Sequence, residues 1–159
     1  MNIYGYCRIS TAKQSIDRQI RNIKAEYPTA HIVQEAYTGT SIFRPEWLKL
    51  YRILKSGDTV VFDSVSRMSR NAEEGFALYE DLYHKGVRLV FLKEHHIDTE
   101  TYKKALSGSI AMTGTNVDFI LKGINEYLMA LAKEQIKLAF EQSEKEVADL
   151  HQRTREGLL

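Results

Sequence analysis

Residues 3–10 read IYGYCRIS, and their β-branched and aromatic side chains predict a strand over residues 3–9. The next patterned segment, Gln14–Glu26, predicts a helix. A strand, a small polar break and a helix put Ser10 at the carboxyl end of the strand, where open α/β sheets bind their ligands. Strand alternation directs Arg8 to the same side as Ser10. Such a serine is often only a helix cap, but a hydroxyl beside a guanidinium can also be a nucleophile next to an oxyanion clamp.

The composition is that of one globular domain. The chain has 159 residues, of which 43% are hydrophobic and 27% charged. It has no apolar run of about 18 residues, the length that predicts a membrane span, and no signal-peptide pattern. Cys7 is the only cysteine, which excludes an internal disulfide and a multi-cysteine metal site. We therefore expect a protein of the reducing cytoplasm.

The net charge is nearly balanced. The chain carries 22 basic and 21 acidic residues, for a formal net charge of +1. A self-sufficient DNA-binding domain is usually visibly basic, because phosphate contacts supply much of its affinity. If nucleic acid is the substrate, the contacts must be local, or another segment must supply most of the affinity.

Strand-like and helix-like segments alternate along the chain. Further strands are predicted at residues 31–37, 58–62 and 87–92, with the apolar run at 58–62 indicating burial on both faces. Helices are predicted from Pro45 and, behind a cap at Asn71, up to Gly86; a short one follows at residues 101–106. This order predicts an α/β fold with a mainly parallel central sheet of four to five strands flanked by helices.

The last part of the chain predicts one long helix. Residues 116–156 contain no proline and a single glycine, Gly123. Forty helical residues would span about 60 Å, more than the width of such a domain. We expect the first half to pack on the sheet and the second half to pack against another subunit or along an extended ligand. The alternative is two shorter helices with a bend at residues 133–135. The expected division is an α/β domain at 1–115 and a long helix at 116–159.

Arginines follow three of the predicted strands. Arg8 precedes Ser10 after the first strand, Arg44 lies in the loop region after the second, and Arg67 and Arg70 follow the third. A single arginine is usually a solvated or ion-paired surface residue. Several guanidiniums at one sheet edge instead favour phosphate chemistry, because arginine matches phosphate geometry with paired donors.

Several other chemistries lack their motifs. The chain has no P-loop, GxGxxG, HxxxH or CxxC pattern, so neither a nucleotide cofactor nor a metal is expected. His95 and His96 are adjacent, which favours an exposed or satisfied pair, and Cys7 is interpreted as core packing. The remaining interpretation is a metal-free displacement at phosphorus, with Ser10 attacking and arginines holding the developing charge.

Three motifs together resemble one known family. They are YGYCRIST at residues 4–11 with QSIDRQ behind it at 14–19, SRMSRN at 66–71, and QRTREG at 152–157. In this order they resemble the catalytic domain of the serine recombinases, which comprise resolvases, invertases and large serine integrases. The resemblance covers nearly the whole chain and implies site-specific DNA recombination by a resolvase-like α/β domain.

The resemblance implies a role for each matching residue. Ser10 would attack the scissile phosphodiester, forming a 5′-phosphoserine link and releasing a 3′-hydroxyl. Because the bond energy stays in that link, no metal, ATP or other cofactor is required. Arg8, Arg67 and Arg70 would hold the phosphate, and Arg153 falls on an arginine that relatives place near DNA. Supporting active-site positions are matched by Tyr6, Gln14, Gln19, Glu35 and Arg44.

The resemblance also implies partners and shows departures. Family members bind a specific DNA site, form homodimers through the long helix, and assemble as tetramers at synapsis. They continue past that helix into a basic DNA-binding region, so we expect this near-neutral chain to be the catalytic and dimerisation part. Ser66 stands where many members carry Asp, and no role is assigned to it. Glu35 replaces another frequent aspartate with the carboxylate retained.

Two other functions stay open from the sequence. The first is a catalytically silent relative acting as an oligomerisation or regulatory module; the intact set of Ser10, Arg8, Arg67 and Arg70 argues against it. The second is an unrelated phosphate-binding enzyme with a small-molecule substrate. Such an enzyme needs a deep apolar-walled pocket and has no use for a long exposed helix.

Overall fold

The computed structural model describes residues 1–8, 14–35, 44–69, 71–107 and 111–155. Four strands and six helices, with one 3-10 turn, follow one another along these residues. They are β1 (Ile3–Arg8), α1 (Gln14–Glu26), β2 (His31–Glu35), α2 (Pro45–Ile53), β3 (Thr59–Phe62), α3 (Val65–Met68), α4 (Ala72–His84), β4 (Arg88–Phe91), the 3-10 turn His95–Ile97, α5 (Thr99–Ser107) and α6 (Asp118–Arg155).

The strands form one parallel sheet in the order β2-β1-β3-β4. The fold class predicted from the sequence is thus confirmed, with four strands in the described part of the chain. From β1 the chain moves outward to β2, then crosses back over β1 to β3. The carboxyl ends of β1 and β3 therefore meet at a topological switch point, where open α/β sheets bind ligands.

Alternate side chains of each strand serve two hydrophobic layers. One layer, beneath α1, gathers Cys7, Ile23, Val61 and Val90. The opposite layer lies beneath α2, α4 and part of α6. Its buried residues from the strands are Tyr6, Val60, Phe62, Leu89 and Phe91. All four residues of β3 are buried, as its continuous apolar run predicts.

Local signals explain where the helices begin and end. Asn71 Oδ1 accepts the Glu74 N–H at 3.0 Å, which confirms the predicted N-terminal cap of α4. Gly86, with φ of +87°, follows the same helix in a backbone conformation that residues other than glycine rarely adopt. Pro45 opens α2 at its first turn. These caps fix the loops that lead into and out of the sheet edge.

The outer edge of β4 is covered by side chains. The N–H groups of Leu89 and Phe91 point away from β3, since Arg88 and Leu92 make the bonds to that side. Leu89 N–H donates to Thr99 Oγ1 at 2.9 Å, and Phe91 N–H donates to Asp98 Oδ1 at 2.7 Å. The start of α5 thus takes the place of a fifth strand.

The long helix is one continuous element, which agrees with the single helix predicted. Helix α6 has 38 residues, or about 57 Å at the α-helical rise. The expectation that its first half packs on the sheet is wrong: Phe119 and Tyr127 are 84% and 66% exposed. The helix joins the core further on, at Ile136 and Phe140. Ile136 and Phe140 are four residues apart, so they lie on the same face of α6. Gly75 of α4 has no side chain and leaves room for the Phe140 ring.

Within the part of the chain that the structure describes, no helix is both long enough and apolar enough to cross a lipid bilayer.

Candidate active site

Three arginines predicted to share one edge of the sheet are connected to one another there. Arg8 Nη2 donates to the Ser66 carbonyl at 2.7 Å, and Arg67 Nη1 donates to the Arg8 carbonyl at 3.2 Å. Arg44 Nη1 donates to the Arg67 carbonyl at 3.4 Å. Each guanidinium is therefore tied to the backbone of another part of the site. The end of β1, helix α3 and the start of α2 form one unit.

Gln19 fixes the end of β1. Its side chain is buried in α1, and its Oε1 accepts the Arg8 N–H at 3.1 Å while its Nε2 donates to the Arg8 carbonyl at 3.0 Å. The amide group thus binds Arg8 as a neighbouring strand would. A helical side chain holds both backbone groups of Arg8, so the residue cannot rotate without breaking two hydrogen bonds. The structure thus shows Gln19 in contact with Arg8, and its role in an active site stays a prediction.

Glu35 connects β1 to the start of α2. The carboxylate is 3% exposed and accepts the Tyr6 hydroxyl at 3.1 Å and the Trp47 N–H at 3.0 Å through Oε1. Its Oε2 accepts the Glu46 N–H at 3.2 Å. These N–H groups belong to the first turn of α2, where a negative charge is favourable. The buried carboxylate is thus satisfied on both oxygens.

Tyr6 stays a neutral hydrogen-bond donor. Burial raises the pKa of Tyr6 well above its usual range, the Arg44 charge lowers it in part, and the Glu35 carboxylate raises it further. The phenol donates to Glu35, so its proton is already committed. Tyr6 therefore suits a structural role in the site better than that of a general base.

Arg44 lies over two aromatic rings. Its guanidinium carbon is 5.8 Å from the centroid of the Tyr6 ring and 5.5 Å from that of Trp47. Cation–π contacts at these distances hold a guanidinium without neutralising it. Trp47 is not among the site residues predicted from the sequence. Its position three residues after Arg44, across the first turn of a helix, is the signal that could have linked the two.

Helix α3 receives contacts that the sequence analysis did not predict. Glu94, in the loop after β4, accepts the Val65 N–H at 3.0 Å through Oε1. Ser64 caps α3 by accepting the Ser66 N–H at 3.2 Å. Behind them, the buried Asp63 carboxylate accepts Asn22 Nδ2 at 2.8 Å. The Glu94–Val65 and Asn22–Asp63 contacts join residues 29 and 41 apart in sequence, so no local pattern indicates that these pairs meet.

Four of the predicted site residues stay outside this geometry. Ser10 and Arg70 lie outside the described residues. Gln14 is the first residue of α1, and Arg153 lies in the last turn of α6, but the structure describes neither side chain. The catalytic role predicted for Ser10 and Arg70 therefore stays a prediction, as do the roles of the other two.

Two residues set aside in the sequence analysis are accounted for structurally. The thiol of Cys7 is fully buried, and this burial, assisted by the Asp63 charge, raises its pKa to about 12. It therefore stays protonated at neutral pH and packs as a core residue. His95 is exposed, and its Nδ1 lies 2.7 Å from Asp98 Oδ2, which is the satisfied state expected for this pair of histidines.

The site presents a concentration of positive charge at the carboxyl edge of a parallel sheet. Arg8, Arg44 and Arg67 are all partly buried there. Guanidiniums whose planes are fixed by backbone carbonyls are suited to bind the tetrahedral oxygens of a phosphate. A parallel sheet with such an edge defines the class: an α/β domain that acts on phosphate groups.

Comparison with known proteins identifies the family. The family model "Resolvase, N terminal domain" matches residues 3–146. Transposon Tn21 resolvase of Escherichia coli is 28% identical over 159 residues, covering 96% of this chain and 83% of the relative. A resolvase of Clostridium perfringens is 32% identical over 99 residues, covering 61% of this chain and 52% of the relative. The chain therefore belongs to the resolvase N-terminal domain family and is a catalytic domain of the site-specific recombinase class.

A solved structure of a resolvase family site-specific recombinase from Streptococcus pneumoniae is also similar to this chain. It is 20% identical, with a TM-score of 0.48, and the match covers 98% of this chain and 99% of that one. Membership of the family itself implies DNA binding and oligomerisation.

Proposed function

We propose that this domain cuts and rejoins DNA at a specific site through a covalent serine intermediate. The Ser10 hydroxyl oxygen attacks the scissile phosphorus, the bond from phosphorus to the 3′-oxygen breaks, and the hydroxyl proton ends on the released 3′-oxygen. The product is a 5′-phosphoserine link. Attack by another 3′-hydroxyl reverses the step after strand exchange. One phosphoester bond is exchanged for another, so the reaction consumes no ATP.

The observation that carries the proposal is the connected arginine set at the end of β1. The Arg8 guanidinium binds the Ser66 carbonyl at 2.7 Å, and the Arg67 guanidinium binds the Arg8 carbonyl at 3.2 Å. Arg8 lies two residues before Ser10 in the chain. In the proposal, Arg8, Arg67 and Arg70 bind the non-bridging oxygens, where charge develops during the attack. Arg44 contributes a further guanidinium, which the rings of Tyr6 and Trp47 hold in reach.

The proposal includes the assembly of the protein. Helix α6 mediates a homodimer, and two dimers form a tetramer when the DNA sites are brought together. The exposed apolar residues of α6 support this, because they need a partner to leave water. They include Ile120, Ile124, Tyr127 and Leu131. Residues 1–115 would then form the catalytic α/β domain and 116–159 the dimerisation helix, with Arg153 contacting DNA. The proposal places the protein in the cytoplasm, together with its DNA substrate.

The test is covalent capture on a suicide substrate. The full-length protein is incubated in EDTA with a nicked DNA carrying its recombination site, then resolved on a denaturing gel. We expect a protein–DNA adduct from the wild type and none from Ser10→Ala. Ser56→Ala is the matched control, because Ser56 is an exposed residue before β3, at the opposite edge of the sheet. An adduct that persists in Ser10→Ala would rule out Ser10 as the nucleophile.

A further inference from the structure

Glu94 reaches from one end of the sheet edge to helix α3. It directly precedes the 3-10 turn His95–Ile97, in the loop that follows β4, and it is partly buried. Its Oε1 accepts the Val65 N–H at 3.0 Å, and its Oε2 lies 3.5 Å from Ser64 Oγ. Ser64 Oγ is in turn 2.9 Å from Ser66 Oγ. One carboxylate and two hydroxyls thus surround the first turn of α3.

Helix α3 is the common support of two arginines. It carries Arg67, and the carbonyl of Ser66 in the same turn accepts the Arg8 guanidinium. The helix has only four residues. A helix of this length has almost no internal hydrogen bonds to hold its shape, so its geometry depends on partners outside it. A small shift of this turn would move both guanidiniums together.

The environment of Glu94 favours a fixed carboxylate. Burial raises the pKa of Glu94, while the Val65 N–H, Lys93, His96 and the Ser64 hydroxyl act in the opposite direction. A partly buried acid without hydrogen bonds would be costly, so the bonds to α3 determine the orientation of the side chain. The same bonds also limit the positions that α3 can take.

We propose that Glu94 is a positioning residue of the cleavage reaction. Its carboxylate fixes the start of α3 through Val65 and the hydroxyl pair of Ser64 and Ser66, and α3 then sets the directions of the Arg8 and Arg67 guanidiniums. Glu94 touches neither the phosphate nor the nucleophile in this proposal. The inference rests on the proposed function, because the arginines it orients are those of the Ser10 reaction.

The test compares three variants that separate reach from charge. Glu94→Ala removes the contact, Glu94→Asp keeps the charge but shortens the side chain, and Glu94→Gln keeps an oxygen at the right distance without charge. The rate of covalent attachment to the suicide substrate is measured in a single turnover on the full-length protein. DNA affinity and thermal stability are measured separately.

We expect Glu94→Ala and Glu94→Asp to attach at least about tenfold more slowly, because a misplacement of about 1 Å in a catalytic group costs on the order of a hundredfold in rate. Glu94→Gln should stay within about threefold of the wild type, since it still accepts the Val65 N–H. DNA affinity should change by less than about twofold in all three, because Glu94 contacts no phosphate in this proposal. Glu100→Ala is the control, an exposed carboxylate paired with Arg88 at 3.2 Å.

Three results would overturn the inference: a wild-type rate in Glu94→Asp, loss of activity in Glu94→Gln alone, or slower attachment that only follows weaker DNA binding. If Glu94→Ala does not fold, the comparison of Asp with Gln decides the same question. The proposed function is judged by the wild-type adduct and its loss in Ser10→Ala. A normal adduct with unaffected Glu94 variants contradicts only the inference, whereas absence of any adduct contradicts both.

Discussion

Arg67 is held in a way that a surface cation is not. Its Nη1 donates to the carbonyl of Arg8, and its own carbonyl accepts Arg44 Nη1. A planar guanidinium can make such a fixed contact and still present further N–H groups in the same plane. An ammonium has no plane to fix. In the proposed reaction, Arg67 therefore acts through its fixed guanidinium plane as well as through its positive charge.

We expect Arg67→Lys to reduce covalent attachment to the suicide substrate by at least about tenfold, since a charge-assisted contact contributes on the order of 1.5–3 kcal/mol and each 1.4 kcal/mol is tenfold. Arg88→Lys, on the exposed start of β4, should attach at the wild-type rate. Near-normal attachment by Arg67→Lys would show that Arg67 does not bind the transition state.

The sequence predicted which arginines lie close together, but it did not predict which other residues hold them in place. Arg8, Arg44 and Arg67 could be assigned to one edge because parallel strands end together. Glu94 could not, because its contact with Val65 joins residues 29 apart through the tertiary fold. A residue that acts through a tertiary contact has no recognisable pattern in the sequence, whereas the end of a strand does.

At the scale of the element, the packing of α4 against α6 depends on one missing side chain. A Cβ at Gly75 would lie 2.5 Å from two ring carbons of Phe140, and that ring is 1% exposed. The ring has no space to move into, because it is part of the main core. This contact decides where the long helix meets the body of the domain.

Gly75→Ala should lower the free energy of unfolding by about 1–3 kcal/mol, because overpacking a core outweighs the gain in helix propensity of about 1 kcal/mol. Urea denaturation followed by circular dichroism measures the change. Gly123→Ala is the control in α6: apart from the adjacent residues and backbone of α6 itself, nothing lies within 4 Å of the position a Cβ would take, so the substitution should stabilise by about 0.5–1 kcal/mol. Equal stability of Gly75→Ala and the wild type would mean that the two helices can separate at no cost.

The ends of a helix could be predicted from the sequence where a capping residue or a regular series of apolar residues marked them. Helix α1 has Ile16, Ile20 and Ile23 on one face and spans the predicted range, and Asn71 caps α4 as predicted. The face of α6 that packs on the domain could not be predicted from the sequence. Apolar residues occur on two faces of that helix, and periodicity alone cannot tell which face meets the sheet.

At the scale of the whole molecule, α6 carries two apolar faces. Ile136 and Phe140 enter the core, while Ile120 and Tyr127 are 65% and 66% exposed on a different side of the helix. At 100° per residue the two sets are roughly on opposite sides. An exposed apolar stripe of this kind is typical of an interface between subunits.

Ile120→Asp should weaken self-association of the full-length protein by at least about tenfold, because it places a charge in an apolar contact. Sedimentation equilibrium measures the change, and thermal stability of the monomer should not fall. Lys122→Asp, about half a turn away on the same helix, should associate as the wild type does. An unchanged dimer in Ile120→Asp would assign the interface to another surface.

The covered edge of β4 also restricts how copies of this protein can meet. A bare edge strand offers its N–H and C=O groups to any extended chain, and is a starting point for intermolecular sheets and aggregates. Here Thr99 and Asp98 already accept the outward N–H groups of Leu89 and Phe91. A second molecule therefore cannot add a strand to this edge of the sheet without displacing these hydrogen bonds. Contacts between subunits there are left to helical surfaces, which can separate and re-form without unravelling the sheet.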